Sequence, residues 1–428
     1  MNIKFVFDKD DAFEVEESSL VVNYCDSGDF RYTFWDSKFI PVNWYNKAAL
    51  DLLFISFAVY AADRLNLRDD ADDGWTRNFK LYIPVLEQEL WMQNKSLMES
   101  LLNFLSGDSW ILEFRGREET EEEKRVKKRW EKKKDNATPY DKVCMFSGGL
   151  DSFIGAIDLL EQKGHDEKIL FVSHYGGGKG TTEYQKYLID KFGGEYNNRE
   201  DFYRFYASVV HGRENSTRTR SFMFFAHAIA LASTLGKEVV LTIPENGLIS
   251  LNIPSTFSRI GTSSTRTTHP YYMKNLQKLL DNIGLQVKIN NPYQFKTKGE
   301  MLQQCKNQEF MNANVALTMS CSHPDVGRHR GEKHSMHCGY CLPCIIRQAA
   351  VKKAGIADNS RYYDSNCKLG NQANTCLNSY RQGLKKFDEK YAFMTIQQNG
   401  PITENIDDYT GLYIRGMKEL DDYIKGIR

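Results

Sequence analysis

The chain has 428 residues, enough for two or three domains around a large buried core. Lys plus Arg and Asp plus Glu balance at 56 each, which excludes a global electrostatic pull toward nucleic acid or anionic membrane and leaves only local basic grooves. At 41% apolar and 26% charged the composition is that of a globular protein, and no apolar run approaches the roughly 20 residues that cross a bilayer, so no membrane partner is expected.

The first residues, MNIKFVFDKDD, are acidic early and lack the basic and apolar regions of a signal peptide, so the chain is read as cytoplasmic. Its nine cysteines are then expected as thiols or metal ligands rather than as a disulfide framework. Residues 1–116 predict an accessory α+β domain. NIKFVFD and RYTFWDS alternate like half-buried strands, NKAALDLLFISFAVYAADRLNL recurs at helical spacing, and SLMESLLNFLSG is a second helix stopped by Gly107. Trp35, Trp44, Trp75 and Trp91 are assigned to its core.

Composition shifts sharply over 117–139, which reads as a charged linker helix. Glu121 with Arg125 and Glu123 with Lys127 place acid before base one turn apart, the pattern of an exposed helix. The basic run from Lys124 to Lys134 leaves RNA, DNA or a protein as the sharper alternative, and nucleic acid stays an open partner class.

From residue 140 strand and helix patterns alternate: KVCMF, KILFVSH, FYRFYASVV and EVVLTIP are each followed by helical sequence, with further helices near 272–283 and 298–306. Repeated β-then-α units predict an α/β fold with a parallel sheet covered on both faces, over a domain spanning 140–358. Residues 359–428 are read as a helical extension. Ligands in such sheets sit beyond the carboxyl ends of the strands, and SGGLDS lies at one such end.

In SGGLDS (Ser147, Gly148, Gly149, Leu150, Asp151, Ser152) the glycines let the backbone approach a ligand. The following helix offers free N–H groups and a partial positive charge, which suits phosphate. Asp151 belongs there only if it caps the helix or reaches magnesium. A second constellation is Cys338, Cys341 and Cys344 in C-x-x-C-x-x-C, with sixteen residues separating Cys321 from Cys338. Four thiolates make a closed tetrahedral zinc site; a [4Fe–4S] cluster is the rival, and His323, His329, His334 or His337 could replace one cysteine.

SGGLDS resembles the PP-loop of the ATP-pyrophosphatases, which implies a Rossmann-like sheet of the adenine nucleotide alpha hydrolase-like type with bound ATP and magnesium. Together with TMSC and HCGYCLPC it resembles the QueC family, the 7-cyano-7-deazaguanine synthases. KTKGEM, Lys296 to Met301, is similar to the Ser/Thr-Lys-x-Glu segment that precedes the zinc loop in that family. The resemblance covers roughly 140–355, and it implies catalytic roles for Asp151 and Lys298, with Arg218 or Arg220 in the place of the family's Arg-Asn motif. We take Arg220 for that role.

The departures are as informative. Residues 1–116 and 359–428 have no counterpart in a minimal QueC protein. The family's Gly-Tyr-Pro-Asp segment is replaced by a polar set after a predicted strand: Glu245, Asn246, Arg259, Ser263, Thr265, Arg266, Thr267 and His269. Of these Glu245, Asn246 and Arg266 are assigned to nucleotide contacts. SHYGGGKGTTEY, His174 to Tyr184, is a candidate lid. The larger architecture resembles the QueC-like, QatC-type proteins of bacterial anti-phage operons. That implies AMP-forming activation of a deazaguanine-type carboxylate, with a protein from such an operon as expected acceptor. A PP-loop enzyme acting on tRNA and a non-catalytic nucleotide-binding scaffold are the alternatives.

Overall fold

The computed structural model describes residues 1–15, 19–176, 179–215, 218–253 and 266–427, without the side chains of Lys179, Glu200 and Arg330. Its strands are β1 (Asn2–Val6), β2 (Leu20–Asn23), β3 (Phe30–Tyr32), β4 (Asn78–Val85), β5 (Ser109–Gly116), β6 (Lys142–Met145), β7 (Ile169–Tyr175), β8 (Phe202–Val209), β9 (Val239–Thr242) and β10 (Val287–Asn290). They form two sheets, one ordered β2-β1-β4-β5 and one ordered β10-β9-β6-β7-β8-β3. Every pairing is parallel except β3 with β8.

The smaller sheet belongs to residues 1–116. β1 is one of its two inner strands, so Ile3 and Phe5 are buried along with Lys4 on the opposite face, and the strand does not show the half-buried alternation expected of it. RYTFWDS yields only β3, and β3 leaves this sheet to become the antiparallel edge of the larger one. Helix α1 (Lys47–Leu65) is buried at 16 of its 19 positions. A helix apolar on all sides needs cover on all sides, and α1 finds it against β4, β8 and α6 (Arg220–Ala232). Residues of both sheets therefore share one apolar cluster, from Ile3 and Phe5 through Val143 and Phe205 to Val287.

A buried ion network locks the same junction. Arg77 Nη2 lies 2.6 Å from Asp63 Oδ1 and 2.9 Å from Asp108 Oδ2, and Arg68 reaches Asp108 at 2.9 Å. The other oxygen of Asp63 accepts from Thr219 N at 3.1 Å and Thr219 Oγ1 at 2.7 Å, at the start of α6. Helix α2 (Gln88–Ser106) ends at Gly107, whose φ of 76° is the left-handed conformation that glycine supplies.

Helix α3 (Glu121–Glu131) is capped by Thr120 and Glu123 in a reciprocal box. Glu123 is engaged there and by Arg117 at 2.7 Å, so the surface pairs form one residue closer than expected, Lys124 with Glu121 and Arg125 with Glu122.

In the larger sheet the strand order reverses between β6 and β9. Crevices at such a reversal take the ligand, and this one is flanked by the loops after β6 and β9. Helix α4 (Leu150–Gln162) follows β6 and begins inside SGGLDS, three residues before the expected start. Helix α5 (Lys179–Tyr196) follows β7, and α7 (Gly247–Leu251) follows β9. Helices α8 (Pro270–Asn282) and α9 (Lys298–Gln304) fall where helices are expected, while α10 (Gln308–Asn314), α11 (Leu342–Ala354) and the short β10 were not read from the sequence. Residues 359–428 supply α12 (Asn371–Lys386), α13 (Ala392–Gln397) and α14 (Ile406–Ile424). Helix α14 packs on α7, α11, α12 and α13. Among the described residues no helix is long and apolar enough to cross a membrane.

Candidate active site

The loop from Ser147 to Gly149 turns sharply because Gly148 takes φ +83°, and a Cβ there would meet Gln185 Cγ at 2.9 Å. Gln185 Nε2 donates to Ser147 O and His174 O, both at 3.1 Å, tying the loop to β7 and α5. From the other side Met319 N donates to Gly148 O at 2.9 Å, and Leu150 N donates to Ser320 Oγ at 3.2 Å. Ser147 Oγ accepts from Gly149 N at 3.2 Å and lies 3.1 Å from Ser152 Oγ. The hexapeptide is held as a formed cradle at the start of α4. Leu150 contributes its amide; its side chain is in the core.

Asp151 does not cap α4; Gly149 occupies that position. Asp151 is buried in the first turn, and its Oδ1 lies 2.8 Å from Lys298 Nζ. Its Oδ2 accepts from Asn246 Nδ2 at 2.7 Å and from Asn246 N at 3.3 Å. Asn246 Nδ2 also reaches Glu245 Oε1 at 3.4 Å, so one amide bridges the Glu245 and Asp151 carboxyls. Burial raises the Asp151 carboxyl, but Lys298, Glu245 and Asn246 outweigh it and hold it below its ordinary range. Glu245 goes the other way: burial and then the Asp151 charge push it well above the usual value. The two carboxyls are thus pushed in opposite directions, Asp151 toward its charged form and Glu245 away from it.

Lys298 is placed by its own helix. Thr297 caps α9 and Glu300 closes the box, the local reason for the Thr-Lys-Gly-Glu pattern. Glu419 of α14 accepts from Thr297 Oγ1 at 2.8 Å and Gly299 N at 3.2 Å, on either side of Lys298. Arg415, one turn earlier on α14, pairs with Glu300 at 2.7 Å. Nothing in the Glu419 sequence marked it: its partners are more than a hundred residues away.

The expected residues divide into two groups. Ser147, Gly148, Gly149, Leu150, Asp151, Ser152, Glu245, Asn246 and Lys298 come together at the sheet reversal. Arg266 turns elsewhere, with Nη1 donating to Phe104 O at 3.0 Å and Nε to Asn399 Oδ1 at 3.3 Å. Arg218 is buried over the Trp75 ring at 4.6 Å and donates to Ser106 O. Arg220 is exposed at the start of α6, where it adds to the effect of burial and His227 in lowering buried His174 at the end of β7. Thr267 is half-buried beside this loop and His269 caps α8. Arg259, Ser263 and Thr265 lie outside the described residues, as do Gly177 and Gly178 of the candidate lid. Of the rest, His174 and Tyr175 end β7, and Lys179 to Tyr184 open helix α5, which is docked on the cysteine loop: Tyr184 donates to Ser335 O at 3.1 Å, and a Cβ on Gly180 would meet Pro324 at 2.7 Å.

Cys321, Cys338, Cys341 and Cys344 bring four sulfurs within 4.8 Å of one another. Cys321 to Cys341 and Cys338 to Cys344 are each 3.9 Å. A tetrahedral zinc with bonds of about 2.3 Å places its sulfurs about 3.8 Å apart, so the set fits one zinc ion. Amides of His323 and Cys338 donate to Cys321 Sγ at 3.2 and 3.1 Å, and the Cys341 amide to Cys338 Sγ at 3.3 Å, the outer-shell bonds a thiolate site needs. His337 supports the loop through Thr318 O at 3.1 Å, and His329 and His334 are exposed. The ligand group among the described residues holds four cysteines and no histidine. Ser320, next to Cys321, is the residue that holds Leu150 N, so the cysteine loop braces the SGGLDS loop directly.

Residues 263–355 match the family model described as queuosine biosynthesis protein QueC. The chain is 30% identical over 97 residues to the 7-cyano-7-deazaguanine synthase of Xylella fastidiosa strain 9a5c, a match covering 23% of this chain and 38% of that protein. The proteins of the same name from strains M12 and M23 are 28% identical over the same length and coverage. The match thus spans well under half of these relatives. No solved structure matches the chain. Over residues 263–355, which hold the four cysteines, the chain is similar to the QueC family.

Proposed function

We propose that the chain uses ATP to activate a carboxylate of the deazaguanine type, releasing pyrophosphate and then AMP. The observation that carries this is the meeting of Asp151, Lys298, Glu245 and Asn246 beside a preformed SGGLDS cradle at the sheet reversal. In this reading a substrate carboxylate oxygen attacks the α-phosphorus, the bond to the β-phosphate oxygen breaks, and pyrophosphate leaves. An amine then displaces AMP from the acyl carbon and loses a proton. The cradle amides and Ser147 and Ser152 hydroxyls orient phosphate oxygens, and Lys298 offers positive charge to the leaving group.

Magnesium fits the donor set, because paired carboxylates with adjacent hydroxyls are the hard oxygen ligands it takes. Asp151 and Glu245 would hold it, and when bound it would neutralise charge moving onto pyrophosphate. The cysteine set would hold zinc as a structural ion, all four positions being filled by protein sulfur.

Transfer of the activated group to a partner protein, in an anti-phage setting, is the finer form of this reading; residues 1–116 and 359–428 support it as surface beyond the matched segment. The test mixes the chain with ATP, magnesium, 7-carboxy-7-deazaguanine and ammonium, with and without proteins of neighbouring genes, and follows AMP and product masses. A free amide or nitrile marks a synthase, and AMP with mass added to a partner marks a ligase. No AMP in either mixture overturns the reading.

A further inference from the structure

Away from the candidate active site, α3 and the segment before α1 build a second concave surface. Trp35, Trp44 and Trp130 wall a cavity of about 260 Å³, together with Phe39, Arg129 and Lys133. The Trp35 and Trp44 planes are 5° apart with centroids at 6.3 Å, and Trp130 lies 5.5 Å from Trp44. Trp130 Nε1 donates to Pro41 O at 2.7 Å, which fixes the indole at the rim. Trp44 and Trp130 are only half-buried, so part of each indole reaches solvent, with Lys127 Nζ 6.0 Å from the Trp44 ring and Lys134 Nζ 5.8 Å from the Trp130 ring.

Arg129 also borders an adjoining hollow on α3 with Lys124, Arg125, Lys128 and Lys132. Lys124 and Arg125 are matched by Glu121 and Glu122. Lys128, Arg129, Lys132 and Lys133 have no ion-pair partner among the described residues. Their spacing puts them along one stretch of α3 and its immediate continuation. In a chain whose charges balance overall, this is a local excess of positive charge.

We propose that this surface binds single-stranded nucleic acid, with a base against the Trp44 and Trp130 rings and backbone phosphates on Arg129, Lys133, Lys128 and Lys132. Stacking platforms beside a cationic track are what unpaired strands require, whereas a duplex hides its base faces. The cations alone would serve any polyanion; the aromatic cavity that shares Arg129 with them selects the single strand. The site is independent of the ATP-dependent reading.

The test is fluorescence anisotropy of the full chain with labelled oligo-dT and oligo-U, and with a duplex of equal length, as salt is raised from about 50 to 200 mM. The single strands are expected to bind, with indole fluorescence quenched. The joint substitution Arg129→Ala and Lys133→Ala, at positions outside the core, should reduce the salt slope by about 1.4, roughly 0.7 for each lost phosphate contact. Trp130→Ala should weaken binding about tenfold at unchanged slope. Absence of binding at low salt overturns the proposal. So does duplex binding as tight as single-strand binding with no quenching, which would leave a bare basic surface.

Discussion

Glu419 and Gly299 fix each other. The Gly299 amide donates to Glu419 Oε1 at 3.2 Å, and a Cβ on residue 299 would lie 2.6 Å from Glu419 Oε2. The bond joins α14 to the residue after Lys298, so helices outside the matched family segment help set the lysine beside Asp151. Glu419→Ala should lower kcat for AMP release about 10- to 100-fold, since small displacements of a charged group cost that much. Steady-state kinetics checks this. Glu419→Gln, which keeps an oxygen acceptor, should recover most of the rate.

The cysteine loop braces the cradle through Met319 N and Ser320 Oγ. Cys341→Ser should therefore abolish retention of one zinc per chain and lower Tm by about 10 °C or more. Elemental analysis and thermal melts measure both. Folded wild-type protein free of zinc and iron would defeat the metal assignment.

Asp63 serves Arg77 and Thr219 at once, across the junction of the two sheets. Asp63→Ala leaves the Arg77 guanidinium short of a buried partner and should cost about 3–5 kcal/mol in chemical denaturation. A change below about 1 kcal/mol would show that the junction relaxes around the loss.

His227 is buried among Phe34, Phe57 and Phe205, with His174 nearby, and burial pushes its pKa down to about 4. His269 is likewise lowered to about 4 by burial and Arg266. Unfolded histidine titrates near 6.5, so between about pH 6.5 and 4 the unfolded chain takes up protons that the native one refuses. Stability should fall as pH drops through that window. His227→Leu should flatten the fall by roughly 2–3 kcal/mol, read from denaturation midpoints at several pH values.

The sequence disclosed the elements whose causes are local. Thr297 and Glu300 announce a capped helix, Gly107 a helix stop, and the apolar runs of β6 to β9 a parallel sheet. The hexapeptide and the cysteine spacing carried the cradle and the metal set because each is short-range chemistry. Long-range choices stayed hidden. The pattern of β3 is that of any short strand, and only tertiary pairing decides that it joins β8. Arg218 and Arg266 looked like anion ligands because arginine in a polar loop usually faces solvent. Trp75, Phe104 and backbone carbonyls claim them instead. Glu419 was invisible, since its role exists only after α14 folds back on α9.

On the proposed function the Asp151–Lys298 pair lies at an AMP-forming site. The most direct measurement is AMP release from ATP with magnesium, 7-carboxy-7-deazaguanine and ammonium by the wild type and by Asp151→Asn, a substitution that keeps the shape and removes the charge. Substrate-dependent AMP is expected from the wild type, with a loss of at least about 100-fold in the variant at unchanged zinc content. Equal rates in the two proteins would contradict it.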